Sequence, residues 1–314
     1  MATTAETVAR PATRRSTRTR RLQSGGWGWL FSAPFFVLYI LFLLWPVVGA
    51  LRTSLFDESL VGGSEWRGLG NYTELLGDAN FWASMWHTLL FTLLSTPPLV
   101  VIALAFALLV SRVARGQWLY RLAFFAPYVL PVSVVVLIWN WLYQPGFGLI
   151  NSYLTSLGFG EVNWLGQEGV AMISVVILTV WWTLGFNFVL YLAGLQEIPR
   201  ELYDAAATDG ASPWQQMRRI TLPLLRSTTV LVIVLQVIAS LKVFDQIYLL
   251  QQFTAGPQDS TRPAIQYIYE TGFTQYRLGY ASAMSFVFFL VVVAVALVSI
   301  WLVRKAGTRT VVSS

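Results

Sequence analysis

Five stretches of the chain run without an Asp, Glu, Lys or Arg: 22 to 51, 79 to 111, 122 to 160, 169 to 196 and 278 to 303. Each exceeds the roughly 20 residues a helix needs to cross a hydrocarbon core. A sixth, from Ser227 to about Leu250, is interrupted only by Lys242 and Asp245. Backbone polar groups in lipid must be satisfied within the spanning segment itself. The pattern therefore predicts an all-α membrane protein of six transmembrane helices. The third span, "LAFFAPYVLPVSVVVLIWNWLYQPG", carries Pro127 and Pro131 one turn apart; both should kink it, and neighbouring helices must make up the lost backbone bonds. That points to a bundle packed around a cavity. Between the first two spans, "GGSEWRGLGNYTELLGDANFWASMW" mixes turn residues with aromatics that suit a helix lying at the membrane interface. The halves of the chain share no repeat, which weighs against an inverted-repeat architecture.

Composition agrees: 56% of residues are hydrophobic and 11% charged, with mean hydropathy +0.60. Charge then orients the spans, because Lys and Arg in short loops stay on the cytoplasmic side. With the amino terminus inside, sixteen of the 21 basic residues fall in inner segments, and the outer segments hold Arg52, Arg67, Arg262 and Arg277. Both termini are thus expected to be cytoplasmic, and the net charge of +6 is topology and needs no nucleic acid. Residues 1–26 read as a flexible, retained basic tail, since the run after it is too long for a signal peptide. The chain has no Cys and one His, His87, which excludes disulfides and argues against a metal site. With no carboxylate cluster on one helix, a membrane-embedded enzyme is disfavoured. No GxxxxGK[ST] phosphate loop is present, so the chain is not expected to bind ATP.

One polar interlude stands out, "IPRELYDAAATDGASPWQQMRRITLPLL". Pro199 suits a first helical turn, with Glu197 and Glu201 near its positive end. Asp209-Gly210 should break that helix, because glycine accepts the left-handed backbone of a C-cap. Ser212, Pro213 and Gln215 restart it as a capping box, and Pro223 should end it. The product is a cytoplasmic helix-turn-helix between spans four and five, over 198–223. Two readings stand side by side. It could rest on the membrane surface, or its small apex residues Ala205, Ala206, Ala207, Gly210 and Ala211 could approach a protein groove closely.

These residues resemble the EAA loop of permease subunits from binding-protein-dependent ABC importers. Asp204-Ala205-Ala206 fills its first element, Gly210 its glycine, and Ile220, Leu222 and Pro223 its end. Asp204 stands where that family often has Glu, and Ser227 where its sugar-transporting members often have proline. From about Trp27 onward, "GLGNYTELLGDANFW", "GLQEIPRELYDAA", "VFDQIYLL" and "GYASAMSFVFF" resemble the carbohydrate-uptake branch. The resemblance implies a multi-pass protein of a bacterial or archaeal cytoplasmic membrane. It implies as partners a second permease, two copies of a cytoplasmic ATPase that binds ATP and Mg, and an extracytoplasmic solute-binding protein. The hairpin would then couple to the ATPase through Glu201, Asp204, Ala205, Ala206, Asp209, Gly210, Ala211, Leu222 and Pro223. The domain boundaries expected are a first helix and outer loop over 27–84, a core permease domain over 85–303 and a tail over 304–314.

A sugar-like solute needs hydrogen-bonding groups and aromatic faces inside the bundle. Trp182, Asn187, Phe244, Asp245 and Tyr248 form the expected set, with Asn140 and Tyr143 as further members. Against this, a mid-span Asn such as Asn187 also serves as a bond to a neighbouring helix. Lys242 and Asp245 could likewise pair with each other at i, i+3 near the outer interface. As intramembrane charges they also permit an alternative, an ion-coupled secondary transporter that uses them as its relay.

Overall fold

A computed structural model describes residues 27–59, 62–113 and 115–308; the basic tail over 1–26 and residues 309–314 lie outside the described residues. The chain divides into two units, Met1–Gly49 and Ala50–Ser314. The first holds α1 (Trp27–Tyr39), which passes through a wide π-turn (Ile40–Leu44) into the start of α2 (Trp45–Thr53). Pro46 has no N–H for the turn before it, and the helix widens there without breaking.

The second unit opens with a small antiparallel hairpin, β1 (Phe56–Glu58) and β2 (Ser64–Trp66), paired Phe56 to Trp66. This short hairpin is an addition to an otherwise helical chain; the Phe56 and Trp66 rings meet across it edge to face at 5.0 Å. There follow α3 (Gly70–Leu76), α4 (Ala79–Ser111), α5 (Gln117–Val129), α6 (Val132–Tyr143), α7 (Leu149–Ser156) and α8 (Val170–Gln196). After them come α9 (Arg200–Thr208), α10 (Pro213–Gln216), α11 (Leu222–Leu224), α12 (Arg226–Leu241), α13 (Asp245–Leu250), α14 (Ala264–Tyr269) and α15 (Leu278–Thr308).

Among the described residues, four helical segments are individually long and apolar enough to span: Phe31–Thr53, Ala79–Ser111, Val170–Gln196 and Leu278–Trp301. The third expected span is a bent pair, α5 and α6 meeting at 96°. The stretch expected as a span from Ser227 to about Leu250 is broken at Lys242–Phe244 into α12 and α13, and α12 instead continues, across a 58° bend, from Pro213–Leu224. At about 1.5 Å per residue, neither α5 nor α6 reaches across a ~30 Å core alone. The expected kink in the third span is therefore a full break. Leu130 precedes Pro131 and is driven to extended backbone, ψ 139°. Its carbonyl, left without a helical partner, accepts the Trp182 indole N–H at 3.3 Å, the neighbour's compensation that a broken helix needs in lipid.

The core runs along α4 and α8, which pack against each other over most of their length. One cluster joins Phe91, Val135, Trp139, Leu178 and Ile247; a second joins Leu99, Ala103, Phe188 and Val232. α5 lies close on α8 because Gly185 leaves room: a Cβ there would overlap the Phe124 carbonyl oxygen. Gly185→Val should therefore push α5 off α8 and cost about 1–3 kcal/mol or more. Thermal unfolding of the solubilised protein checks this, and an unchanged Tm contradicts the packing.

At the Asp78 end of α4 the loops are tied together by polar bonds. Buried Asn71 donates to the Ser54 and Phe56 carbonyls, each at 2.9 Å, and Glu74 binds both Arg67 and Arg277. Asp78 caps α4 and also accepts from the Tyr267 and Tyr280 hydroxyls at 2.9 and 2.7 Å. Burial pushes the Asp78 carboxyl up, but the bonds from Tyr280, Tyr267 and the Phe81 and Asn80 amides together hold it below its ordinary 3.8. A carboxyl depressed on folding adds stability above its unfolded pKa and loses it as pH falls through the lower folded value. Acid unfolding of the wild type should thus include a component below pH about 3.8 that Asp78→Asn lacks. Identical acid-unfolding profiles for the two proteins would count against it.

Candidate functional site

The interlude folds as two capped arms. Pro199 is the N-cap of α9, one position earlier than a first turn, and Glu201 sits in that turn. At the other end Gly210 takes φ +79°. The Gly210 N–H donates to the Ala207 carbonyl at 3.0 Å and the Ala211 N–H to the Ala206 carbonyl at 2.9 Å, a Schellman closure. Ser212 restarts the chain: its N–H donates to Gln215 Oε1 at 2.7 Å while its Oγ accepts from the Gln215 N–H, with Pro213 at the first position. Tyr203 and Thr221 join the two arms hydroxyl to hydroxyl at 2.8 Å. Pro223, expected from sequence to end the second arm, does not. A π-turn over Met217–Thr221 precedes it, the missing N–H is absorbed there, and the helix runs to Leu224 before the bend into α12.

The tip Asp209-Gly210 is exposed, with Ala211 half-buried behind it, and nothing lies within 4 Å of where a Gly210 Cβ would stand. Asp204 and Ala205 are exposed along α9, with Ala206 half-buried between them and the tip. Leu222 and Pro223 are exposed on the opposite arm. All nine sequence-chosen residues thus lie on one hairpin. Trp214, exposed on the second arm, was not among them.

A cavity of about 270 Å³ opens between α4, α8 and α12. Of the expected solute set, Trp182 and Asn187 line it. Asn187 is buried; its Nδ2 donates to Gln236 Oε1 at 2.9 Å, Gln236 Nε2 donates to Ser240 Oγ at 2.9 Å, and Ser240 and Ser95 meet hydroxyl to hydroxyl at 3.1 Å. Asn187 therefore does bond a neighbouring helix, yet its Oδ1 is buried and without a hydrogen-bond partner in the chain. Thr183, Gln236, Lys242 and Gln246 also line the space. Gln236 and Gln246 were missed, although a Gln inside an apolar run is itself a signal.

The remaining expected members lie elsewhere. The Tyr143 hydroxyl donates to the Ser174 carbonyl at 2.8 Å inside the α4–α6–α8 core, and Asn140 sits on the same short helix. Phe244 and Tyr248 stack at 5.1 Å and join Tyr269, forming an aromatic group outside the cavity lining. Helix α12 stops at Leu241, and Phe244 at φ −154°, ψ −66° turns the chain into α13. Lys242 and Asp245 are thus not on one continuous helix. Both are exposed, and no ion pair joins them among the described residues.

Residues 75–310 match the family of binding-protein-dependent transport system inner membrane components. The chain is 35% identical over 277 residues to the sulfoquinovosyl glycerol transport system permease protein SmoG of Agrobacterium fabrum, covering 88% of this chain and 89% of that one. It is 34% identical over 275 residues to the trehalose/maltose transport system permease protein MalF of Thermococcus litoralis, covering 86% and 91%. Its fold resembles a chain of a bacterial ABC transporter involved in import of the acidic polysaccharide alginate, with TM-score 0.76 and 23% identity over 88% of this chain and 96% of that one.

Proposed function

This chain belongs to the family of binding-protein-dependent transport system inner membrane components, and from that premise we propose that it forms half of the membrane pathway of an ATP-driven importer for a saccharide or a related polar solute. It is a multi-pass membrane protein and a transport subunit, with both termini and the 198–223 hairpin on the cytoplasmic side in six passes. Its partners are a second permease, two copies of an ATPase that supply the ATP and Mg chemistry, and an extracytoplasmic binding protein.

The observation that carries this reading is the hairpin tip. Schellman closure and capping box together satisfy the helix ends at the apex, so a rigid knuckle of small residues stands exposed. Such an element transmits rigid-body motion from a partner. Inside the bundle, Trp182 offers an aromatic face, and Asn187 and Gln236 offer polar groups to a hydroxylated solute. The ion-coupled alternative has no support: Lys242 and Asp245 form no pair, and it leaves the hairpin without a role.

Because the chain has no native Cys, single cysteines at Ala207 and Ala211 report contact cleanly. Both should cross-link to the ATPase in the assembled complex, at a yield that changes with nucleotide. Labelling by lipid-borne reagents alone, throughout turnover, would place the hairpin on the membrane surface instead.

A further inference from the structure

The inner ends of α4 and α8, the start of α5 and the base of the hairpin enclose a cavity of about 700 Å³ that the transport reading does not use. Arg112, Arg121 and Arg200 all line it, and no Asp or Glu does. Arg67, Arg262 and Arg277 pair with carboxylates at the opposite end of α4. Arg121 donates to a neutral partner, Gln117 Oε1, at 3.3 Å. Three guanidiniums on the wall of one cavity, with no carboxylate in that lining, give it a positive potential that a bound anion neutralises.

The wall toward the spans is apolar, formed by Leu108, Leu192 and Leu195. A lining that is cationic on one side and aliphatic on the other matches a phosphate head with a glyceride stem. A free inorganic anion has no use for the leucines. The neighbouring surface of α5 exposes Trp118 and Tyr120, residue types that settle at head-group level. The tip residues Asp209, Gly210 and Ala211, which face the ATPase in the proposed assembly, are not part of the lining. We infer that this cavity is a cytoplasmic-leaflet site for the head group of an anionic phospholipid, held by Arg112, Arg121 and Arg200, and that lipid occupancy braces the base of the hairpin. Basic pockets between spanning helices on this side of a membrane take such head groups, and arginine grips phosphate through a fork of donors. The inference rests on the hairpin being cytoplasmic, and its readout is independent of transport.

The test uses the full chain, purified with its associated subunits and placed in phosphatidylcholine nanodiscs doped with phosphatidylglycerol. Retained lipid is read by native mass spectrometry. The wild type should retain phosphatidylglycerol in preference to phosphatidylcholine. The triple variant Arg112→Gln, Arg121→Gln, Arg200→Gln should bind it about a hundredfold more weakly, from the contribution of each basic group beside an anionic lipid. The corresponding triple Lys variant should recover most of the binding, which separates lost charge from misfolding. Undiminished phosphatidylglycerol retention by the Gln variant would overturn the site, as would equal retention of the two lipids. Displacement of the lipid by inorganic phosphate alone would overturn the lipid assignment in favour of a soluble anion. Retention seen only after the ATPase is removed would overturn it in favour of partner carboxylates. A wrong transport reading would appear separately, as a chain that purifies without an ATPase yet still retains the lipid.

Discussion

Gly210→Val should reduce solute uptake by about tenfold or more while the protein still inserts and assembles its spans. A β-branched residue at φ +79° is held in a left-handed backbone it rarely adopts, at a cost of about 1–3 kcal/mol. The chain relieves that strain most easily by opening the Schellman turn, which moves the tip and frees the Ala206 and Ala207 carbonyls. No atom of the chain lies within 4 Å of the new Cβ, so no clash inside the subunit adds to the strain. On the proposed function, the loss therefore belongs to coupling. A displacement worth about 1.4 kcal/mol at the partner groove already gives tenfold. Gly210→Asn should be milder, because Asn tolerates the left-handed region, and Gly210→Ala should fall between. Uptake and ATPase rate measured together in proteoliposomes check the series. Transport is expected to fall while basal hydrolysis persists, and unaltered uptake by the Val variant would remove the hairpin from the mechanism.

Asn187→Leu is the second, and a double substitution makes it decisive. The single change leaves Gln236 Oε1 without the donor it has at 2.9 Å, in a buried setting where a lost partner costs about 1–3 kcal/mol. Uptake should fall by roughly ten- to a hundredfold, with the complex still assembling. If Asn187 only ties α8 to α12, Asn187→Leu with Gln236→Leu should restore transport, since replacing both partners by apolar groups is nearly neutral. The unpartnered Asn187 Oδ1 points to the other outcome, in which the double variant assembles well and transports poorly. Recovery of transport in the double variant would reduce the pair to packing.

The rank of these effects follows from how local each feature is. The hairpin was legible because its determinants sit within a few residues of one another: Gly210 closes on Ala206 and Ala207, and Ser212 on Gln215. Only the far end departed, where a π-turn carried the helix past Pro223. The cavity was half legible. Trp182 and Asn187 could be picked as polar or aromatic positions mid-span. That the Tyr143 hydroxyl turns to the Ser174 carbonyl, 31 residues away, was not legible.

The apolar runs by themselves determined that the chain lives in a membrane, and the positive-inside distribution gave an orientation for it. The same runs could not tell a straight span from a broken one. The 96° bend between α5 and α6 leaves the Leu130 carbonyl free, and only the docked neighbour, through Trp182, satisfies it. The Asn187–Gln236–Ser240–Ser95 ladder links positions 49 and 145 residues apart, and the three arginines of the inner cavity come from separate elements. Backbone caps and lipid solvation are read residue by residue, and sequence settles them. Which polar groups converge is decided by helices docking on one another, because each side chain's partner lies on a different helix.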